Sequence, residues 1–267
     1  MIRKLIPVIV ITLLLSSCGN YQKLLKSTDN EVKYETAIKY FEEKDYYRAI
    51  QLFDQLQPFY RGTDKAEKIA FYYAYAHYEQ RDYILASYYF KQFAANYPNS
   101  RNAEEAAYLS AYCNYLDSPP SSLDQNVTLD AIKGLQLFID QYPGSSRVQN
   151  ANELIDELRQ KLEAKVYDIA DLYLRMEDYK AAIIGFKNLL KEYPDTRYRE
   201  IAMFNVARAS YFYAEKSTAT KQQERYQAAS DALDNFLASY PESTYRKEVL
   251  QLKKNTDRQL QGLLTIQ

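Results

Sequence analysis

Few residues in this sequence are equipped for chemistry. The nucleophile and metal-ligand candidates are Cys18, Cys113 and a single histidine, His77. Cys18 closes an apolar N-terminal stretch and is committed to other chemistry below, which leaves Cys113 as a lone thiol suited to a small buried core position. His77 has no Cys, Asp or Glu at ligand spacing and reads as a packed, hydrogen-bonded core residue. The carboxylates Glu104-Glu105 and Asp168/Asp171 fall on predicted helix faces with Lys and Arg nearby, where solvated i,i+4 pairs account for them. No G-x-S-x-G, G-x-G-x-x-G, P-loop, HExxH or CxxC motif occurs. The expectation is a chain with no catalytic residue, no metal site and no cofactor, and therefore not an enzyme.

The chemistry expected of Cys18 is attachment. Arg3 and Lys4 precede an apolar run from Leu5 to Leu15, followed by Ser16-Ser17-Cys18. The run is roughly half of the ~20 residues needed to cross a bilayer, which makes it a signal peptide and not a membrane span. Its end resembles the lipobox of bacterial lipoproteins: a Leu, two small residues, then Cys. That resemblance implies removal of residues 1–17, thioether lipidation of Cys18 and acylation of the new amino terminus. Several acyl chains hold a protein on a membrane stably where one does not. By that resemblance Gly19, in place of the Asp that often signals inner-membrane retention, implies the outer membrane, and the lack of an acidic cluster just after the cysteine favours its periplasmic face. Residues 18–30 then form a lipidated tether whose stretch 19–30 would reach about 40 Å if extended.

The elements that follow are read from composition and repetition. The chain has 267 residues, formal net charge −1, 28 Tyr, no Trp, six Gly and eight Pro. That charge gives no reason to expect nucleic acid, and so few Gly and Pro argue for long helices with short connections. The stretch Tyr97-Pro98-Asn99-Ser100 recurs as Tyr142-Pro143-Gly144-Ser145, Tyr193-Pro194-Asp195-Thr196 and Tyr240-Pro241-Glu242-Ser243. Four residues before each Tyr stands Phe93, Phe138, Leu189 or Phe236, and twelve before each Pro stands Ala86, Ala131, Ala182 or Ala229. A degenerate first copy has Ala49, Leu56 and Tyr60, with Arg61 in the proline position.

Each unit reads as two antiparallel helices turned at Asp45-Tyr46, Asp82-Tyr83 or Asp178-Tyr179. The Ala permits close helix approach, the Pro ends the second helix, and the Ser or Thr offers a cap to the next one. This pattern resembles the tetratricopeptide repeat. The expected fold is all-α: a tetratricopeptide-like helical-repeat superhelix of five helix pairs plus a capping helix over residues 245–264. Residues 118–127 read as a loop, residues 216–225 as a lengthened turn, and Val148 to Arg175 as one long helix. The division expected is an N-terminal half, 31–143, with repeats 1–3, and a part from 144 to 267 holding the connecting helix, repeats 4–5 and the cap.

On the first helices of the first three units stand Tyr34, Ile38 and Phe41; Phe71, Tyr75 and Tyr78; Tyr108, Tyr112 and Tyr115. Each triplet has spacing i, i+4, i+7, within about 60° of helix surface. The positions facing the partner helix, Ala37, Ala74 and Ala111, lie about 115° away. The aromatics therefore read as a second face, a peptide-binding groove separate from the core inside each pair.

Lipobox, tether, five repeats with F-x-x-x-Y-P-x-S/T endings and the long helix together resemble the BamD family of outer membrane protein assembly factors, lipoproteins of the β-barrel assembly machine. The nearest stretches are Phe53–Ser110 and Ala164–Thr196. The resemblance implies N-terminal repeats that recognise targeting strands of unfolded outer-membrane proteins, and C-terminal repeats that dock the barrel-forming subunit through its periplasmic domains. Arg61 and the two insertions depart from the family pattern. The alternative is an envelope scaffold that coordinates cell division with cell-wall synthesis. That family shares the Y-P-x-S repeats but has a coiled-coil front and no lipid-bearing cysteine.

Overall fold

A computed structural model of the chain describes residues 21–265. The leader, Cys18 and the first tether residues lie outside them. A helical turn over residues 21–25 precedes α1 (Asn30–Glu42), α2 (Tyr46–Tyr60), α3 (Asp64–Glu79), α4 (Tyr83–Asn96), α5 (Ala103–Asp117) and α6 (Asn126–Gln141). Then come α7 (Val148–Arg175), α8 (Tyr179–Glu192), α9 (Arg199–Glu215), α10 (Ala219–Ser239) and α11 (Arg246–Thr265). Among the described residues there is no strand. The fold is all-α and tetratricopeptide-like, a series of helix pairs with a final helix packed on the last pair.

The turn inside a pair is built the same way three times. Lys44, Arg81 and Glu177 adopt left-handed backbone (φ 63, 61 and 62). The next residue, Asp45, Asp82 or Asp178, sends its amide back to the carbonyl of Tyr40, His77 or Tyr173. This closes the outgoing helix in the manner of a Schellman motif. The same aspartates cap the incoming helix, accepting from the amides of Arg48, Leu85 and Ala181.

The end of a pair is equally regular. The amides of Tyr97, Tyr142, Tyr193 and Tyr240 bond the carbonyls of Phe93, Phe138, Leu189 and Phe236, each at 2.9 Å. The following Pro has no amide to continue the ladder. The Ser or Thr two residues on does not act as the helix cap expected of it. Its hydroxyl accepts from the amide two residues later (Asn102, Arg147, Tyr198, Tyr245), forming a turn ahead of the helix start.

Within each pair the second helix buries Ala at i and large apolar residues at i+4 and i+7. Ala49, Phe53 and Leu56 are 0 % exposed, and Ala86/Phe90/Phe93, Ala131/Leu135/Phe138, Ala182/Phe186/Leu189 and Ala229/Leu233/Phe236 do not exceed 1 %. One stripe per helix thus supplies the core, and burying each of its large side chains stabilises by about 1.5–3 kcal/mol. Approach is closest at Gly134 and Gly185, where an added Cβ would stand 3.0 Å from the Ala111 Cβ and 2.9 Å from the Ala170 Cβ.

The chain forms two compact units. One comprises the described residues through Pro119 with Gln125–Ile155; the other comprises Pro120–Asp124 and the chain from Asp156 onward. In the first, α1 packs on α2, α2 on α3, and so on to α5 on α6; in the second, α8 packs on α9, α9 on α10, and α10 and α9 on α11.

Two expectations are corrected. Residues 216–225 do not lengthen a turn: α10 begins at Ala219, so most of the insertion is helix. Good helix formers run from Ala219 to Arg225 with no Gly or Pro to stop them. Residues 21–29 are not free tether. Tyr21 is 7 % exposed, the Lys33 ammonium donates to the Leu25 carbonyl (3.1 Å) and Gln55 (2.7 Å), and Asp29 caps α1.

Candidate functional site

The aromatic triplets sit on α1, α3 and α5 of the first unit, and the structure divides the second and third by depth. Phe71 and Tyr108 are buried, each 7 % exposed. Phe71 lies 5.2 Å from Phe93 and 6.0 Å from Phe90, and Tyr108 lies 5.3 Å from Phe138. These two rings belong to the core inside their pairs, so the stripe is not a wholly separate face. A helix in an array touches its own partner and the neighbouring pairs, and a wheel drawn for one partner places the boundary too sharply.

The remaining members are half-buried: Tyr34, Ile38, Phe41, Tyr75, Tyr78, Tyr112 and Tyr115. They form ring contacts within and between pairs. Phe41 is 6.1 Å from Tyr75, Tyr75 is 5.7 Å from Tyr78, and Tyr112 stacks between Tyr108 (5.6 Å) and Tyr115 (5.7 Å). Tyr34 stands apart from the others, packed on Tyr60 at 5.7 Å beneath the Lys65 ammonium.

Burial raises the Tyr78 hydroxyl to about 12, with Tyr112, Cys113 and Tyr75 as its charged-form neighbours. Burial also raises Tyr75 and Tyr108. These phenols stay neutral at physiological pH, offering an O–H and an apolar ring face together. They are hydrogen-bonding and stacking groups, not bases. Cys113, fully buried, has its thiol pushed up to about 12 by desolvation and is inert as a nucleophile. His77 is 6 % exposed, set edge-on to Tyr73 and stacked on Tyr89, with Nδ1 3.4 Å from Asp82. Its Nε2 has no partner among the described residues, so the expected hydrogen-bonded histidine is satisfied at one nitrogen only. Among the described residues no group of three or more His, Cys, Asp or Glu could hold a metal ion, and no helix is long and apolar enough to cross a membrane.

Two side chains at this surface escaped the sequence reading. Tyr72, next to Phe71 in sequence, stacks on Phe41 at 4.2 Å and lies beneath the Lys68 ammonium. Arg147 covers the Tyr108 ring at 4.8 Å and pairs with Glu105 at 3.3 Å. The Tyr72 contact crosses from one pair to the next, and the Arg147 contacts join residues about forty positions apart, so no local spacing signals either. The surface therefore offers edge-on and stacked rings, neutral hydroxyls and the Arg147–Glu105 ion pair.

The second unit holds a different recess of about 770 Å³ lined by Tyr167, Asp171, Tyr179, Asn205, Phe212 and Tyr245, among others. Charges alternate along it: Arg175 pairs with Asp171 at 2.9 Å, Arg208 with Glu248 at 3.7 Å, and Lys216 with Glu177.

No curated protein matches the chain. Among solved structures, the TPR2AB-domain:pHSP90-complex of yeast Sti1 is 12 % identical over 85 % of this chain and 98 % of that one, with a TM-score of 0.37. The yeast histone chaperone Hif1 is 13 % identical over 92 % and 98 %, with a TM-score of 0.28. The family whose description reads outer membrane lipoprotein, YfiO, matches residues 26–224, most of both units, and the chain belongs to that family.

Proposed function

We propose that this chain is a lipid-anchored scaffold of outer-membrane β-barrel assembly. Acyl groups on Cys18 hold it to the periplasmic face of the outer membrane. The first unit binds targeting strands of unfolded outer-membrane proteins, and the second docks the barrel-forming subunit through its periplasmic domains. Membership of an outer-membrane lipoprotein family supports the setting. The observation that carries the recognition role is the run of half-buried rings, Phe41, Tyr75, Tyr78, Tyr112 and Tyr115, presented from successive first helices. Each ring that stacks on an incoming aromatic contributes about 0.5–1.5 kcal/mol beyond area burial, so three or four contacts make a short strand bind measurably. The alternating charges of the second recess suit a folded polar partner better than an extended apolar one.

The test is fluorescence anisotropy with a labelled peptide from the last strand of a barrel protein, against native protein and a Tyr75→Ala/Tyr112→Ala variant. The variant keeps its helix content and loses at least tenfold in affinity. Equal affinity removes the groove. Co-purification from cross-linked envelopes tests the setting: a barrel protein with tandem periplasmic domains supports it, and cell-wall synthases in its place overturn it.

A further inference from the structure

The described chain, which begins three residues after Cys18, does not hang from the fold. Tyr21 donates to Gln51 Oε1 at 2.8 Å and reaches the Arg48 carbonyl at 3.3 Å. Its ring meets Tyr40 edge-on at 5.8 Å, and the Arg48 guanidinium lies over both rings, 5.3 Å from one centroid and 5.5 Å from the other. Arg48 is held in turn by Asp45 at 3.1 Å. Burial, then Tyr40, raises the Tyr21 hydroxyl to about 12 against the lowering effect of Arg48, and Tyr47 is Arg48's neighbour in the chain.

Gly19 and Asn20 alone separate Tyr21 from Cys18. Three Cα steps span at most about 11 Å, little more than one headgroup layer is thick. The distance the tether could reach thus shrinks to a small part of its extended length. At this end Tyr47 is 66 % exposed, although it is a large aromatic with no burial to gain from the fold. An amphipathic ring in that position suits the headgroup level of a bilayer. Residues 42–48 carry Glu42, Glu43 and Asp45 against Lys44 and Arg48, so attraction to anionic lipid is not what holds the surface.

We infer that the end of the first helix pair marked by Tyr21 and Tyr47 rests against the phospholipid headgroups, drawn there by the short reach from Cys18. This rests on Cys18 being acylated, as proposed above. The outer ends of α1 and α2 then meet the bilayer, and the unit is held at a set height rather than ranging on a flexible leash.

The chain has no Trp, so Tyr47→Trp gives a single tryptophan that can be excited beyond the tyrosine absorption band. The acylated protein, its lipid confirmed by mass, is placed in vesicles of phosphatidylcholine and phosphatidylethanolamine whose acyl chains are brominated near the headgroup. Tyr47→Trp is quenched at least threefold more than Phe59→Trp, an equally exposed position near the other end of α2. Inserting ten Gly/Ser residues after Asn20 leaves the clamp intact and lowers the quenching at least twofold. Protein that floats with the vesicles while Tyr47→Trp stays unquenched overturns the inference, as does quenching indifferent to the insertion. Protein that carries no lipid and fails to float overturns the anchoring premise first, and the two failures are told apart by the mass.

Discussion

The Ser145 hydroxyl donates to the Glu104 carboxylate across 2.6 Å, joining the loop after α6 to the first turn of α5. Ser100 reaches Glu67 and Ser243 reaches Glu200 at the same distance. Each of these serines also accepts the amide two residues on, so one hydroxyl closes the turn ahead of the next helix and ties it to the first helix of the pair just ended. The Ser of Y-P-x-S is thereby a joint between repeats.

Replacing that hydroxyl leaves a part-buried carboxylate short of a donor. Ser145→Ala is expected to destabilise the first unit by about 1.5–3 kcal/mol, the range for a hydrogen bond to a charged group. Urea unfolding at neutral pH measures it. A loss under a few tenths of a kcal/mol would mean water replaces the serine and the joint contributes nothing.

Gly185→Ala should destabilise the second unit even though Ala is the better helix former by about 1 kcal/mol. The new Cβ would sit 2.9 Å from the Ala170 Cβ, with the Ala170 Cα at 3.3 Å behind it. Overpacking of this kind costs about 1–3 kcal/mol. Adding Ala170→Gly reopens the space, and the double variant should recover part of the loss in a double-mutant cycle. A single variant more stable than the native chain would show that α7 and α8 can separate freely.

The repeat was legible because its marks are local. A Pro without an amide, an Asp after a tight turn and an Ala stripe each act within a few residues, and they placed most helix ends to within a residue or two. What was missed is non-local. Glu104 finds its serine 41 positions away, and nothing near Glu104 reveals that. Tyr21 looked like part of a polar leash because its partners, Tyr40, Arg48 and Gln51, arrive only when α1 and α2 fold together. The peptide surface was half legible. Periodicity found the rings, but burial of Phe71 and Tyr108 depends on the phenylalanines across the pair.

His77 makes the first unit sensitive to acid. Desolvation lowers its pKa below the ordinary 6.5, and the nearby Asp82 and Asp54 carboxylates oppose that only in part. The folded state therefore holds fewer protons than the unfolded state as pH falls past 6.5. The stability that neutral His77 contributes is complete above that pH and is lost as pH drops through the folded-state value. Urea midpoints of the native chain should fall between pH 7.5 and 5.5 more steeply than those of His77→Phe, which keeps a ring against Tyr73 and Tyr89 and removes the titration. Parallel curves would assign the acid sensitivity elsewhere.

The depth split inside one triplet gives the sharpest test of the peptide surface. Phe71 contacts Phe90 and Phe93 and is buried, while Tyr75, one turn away, is half-buried and touches Phe71, Tyr78, Phe41 and the edge of Phe90. Truncating the first opens a cavity in the core, and Phe71→Ala should cost about 3–5 kcal/mol. Tyr75→Ala removes a half-exposed ring and should cost well under half of that. For ligand the order reverses if the rings bind peptide. At temperatures where both variants are folded, Tyr75→Ala should lose the greater share of affinity, because only a ring with a free face can stack on an incoming side chain. Melting curves and peptide titrations on the two proteins separate packing from recognition. If affinity simply followed stability across both variants, the rings would be core alone and the peptide would have to bind elsewhere.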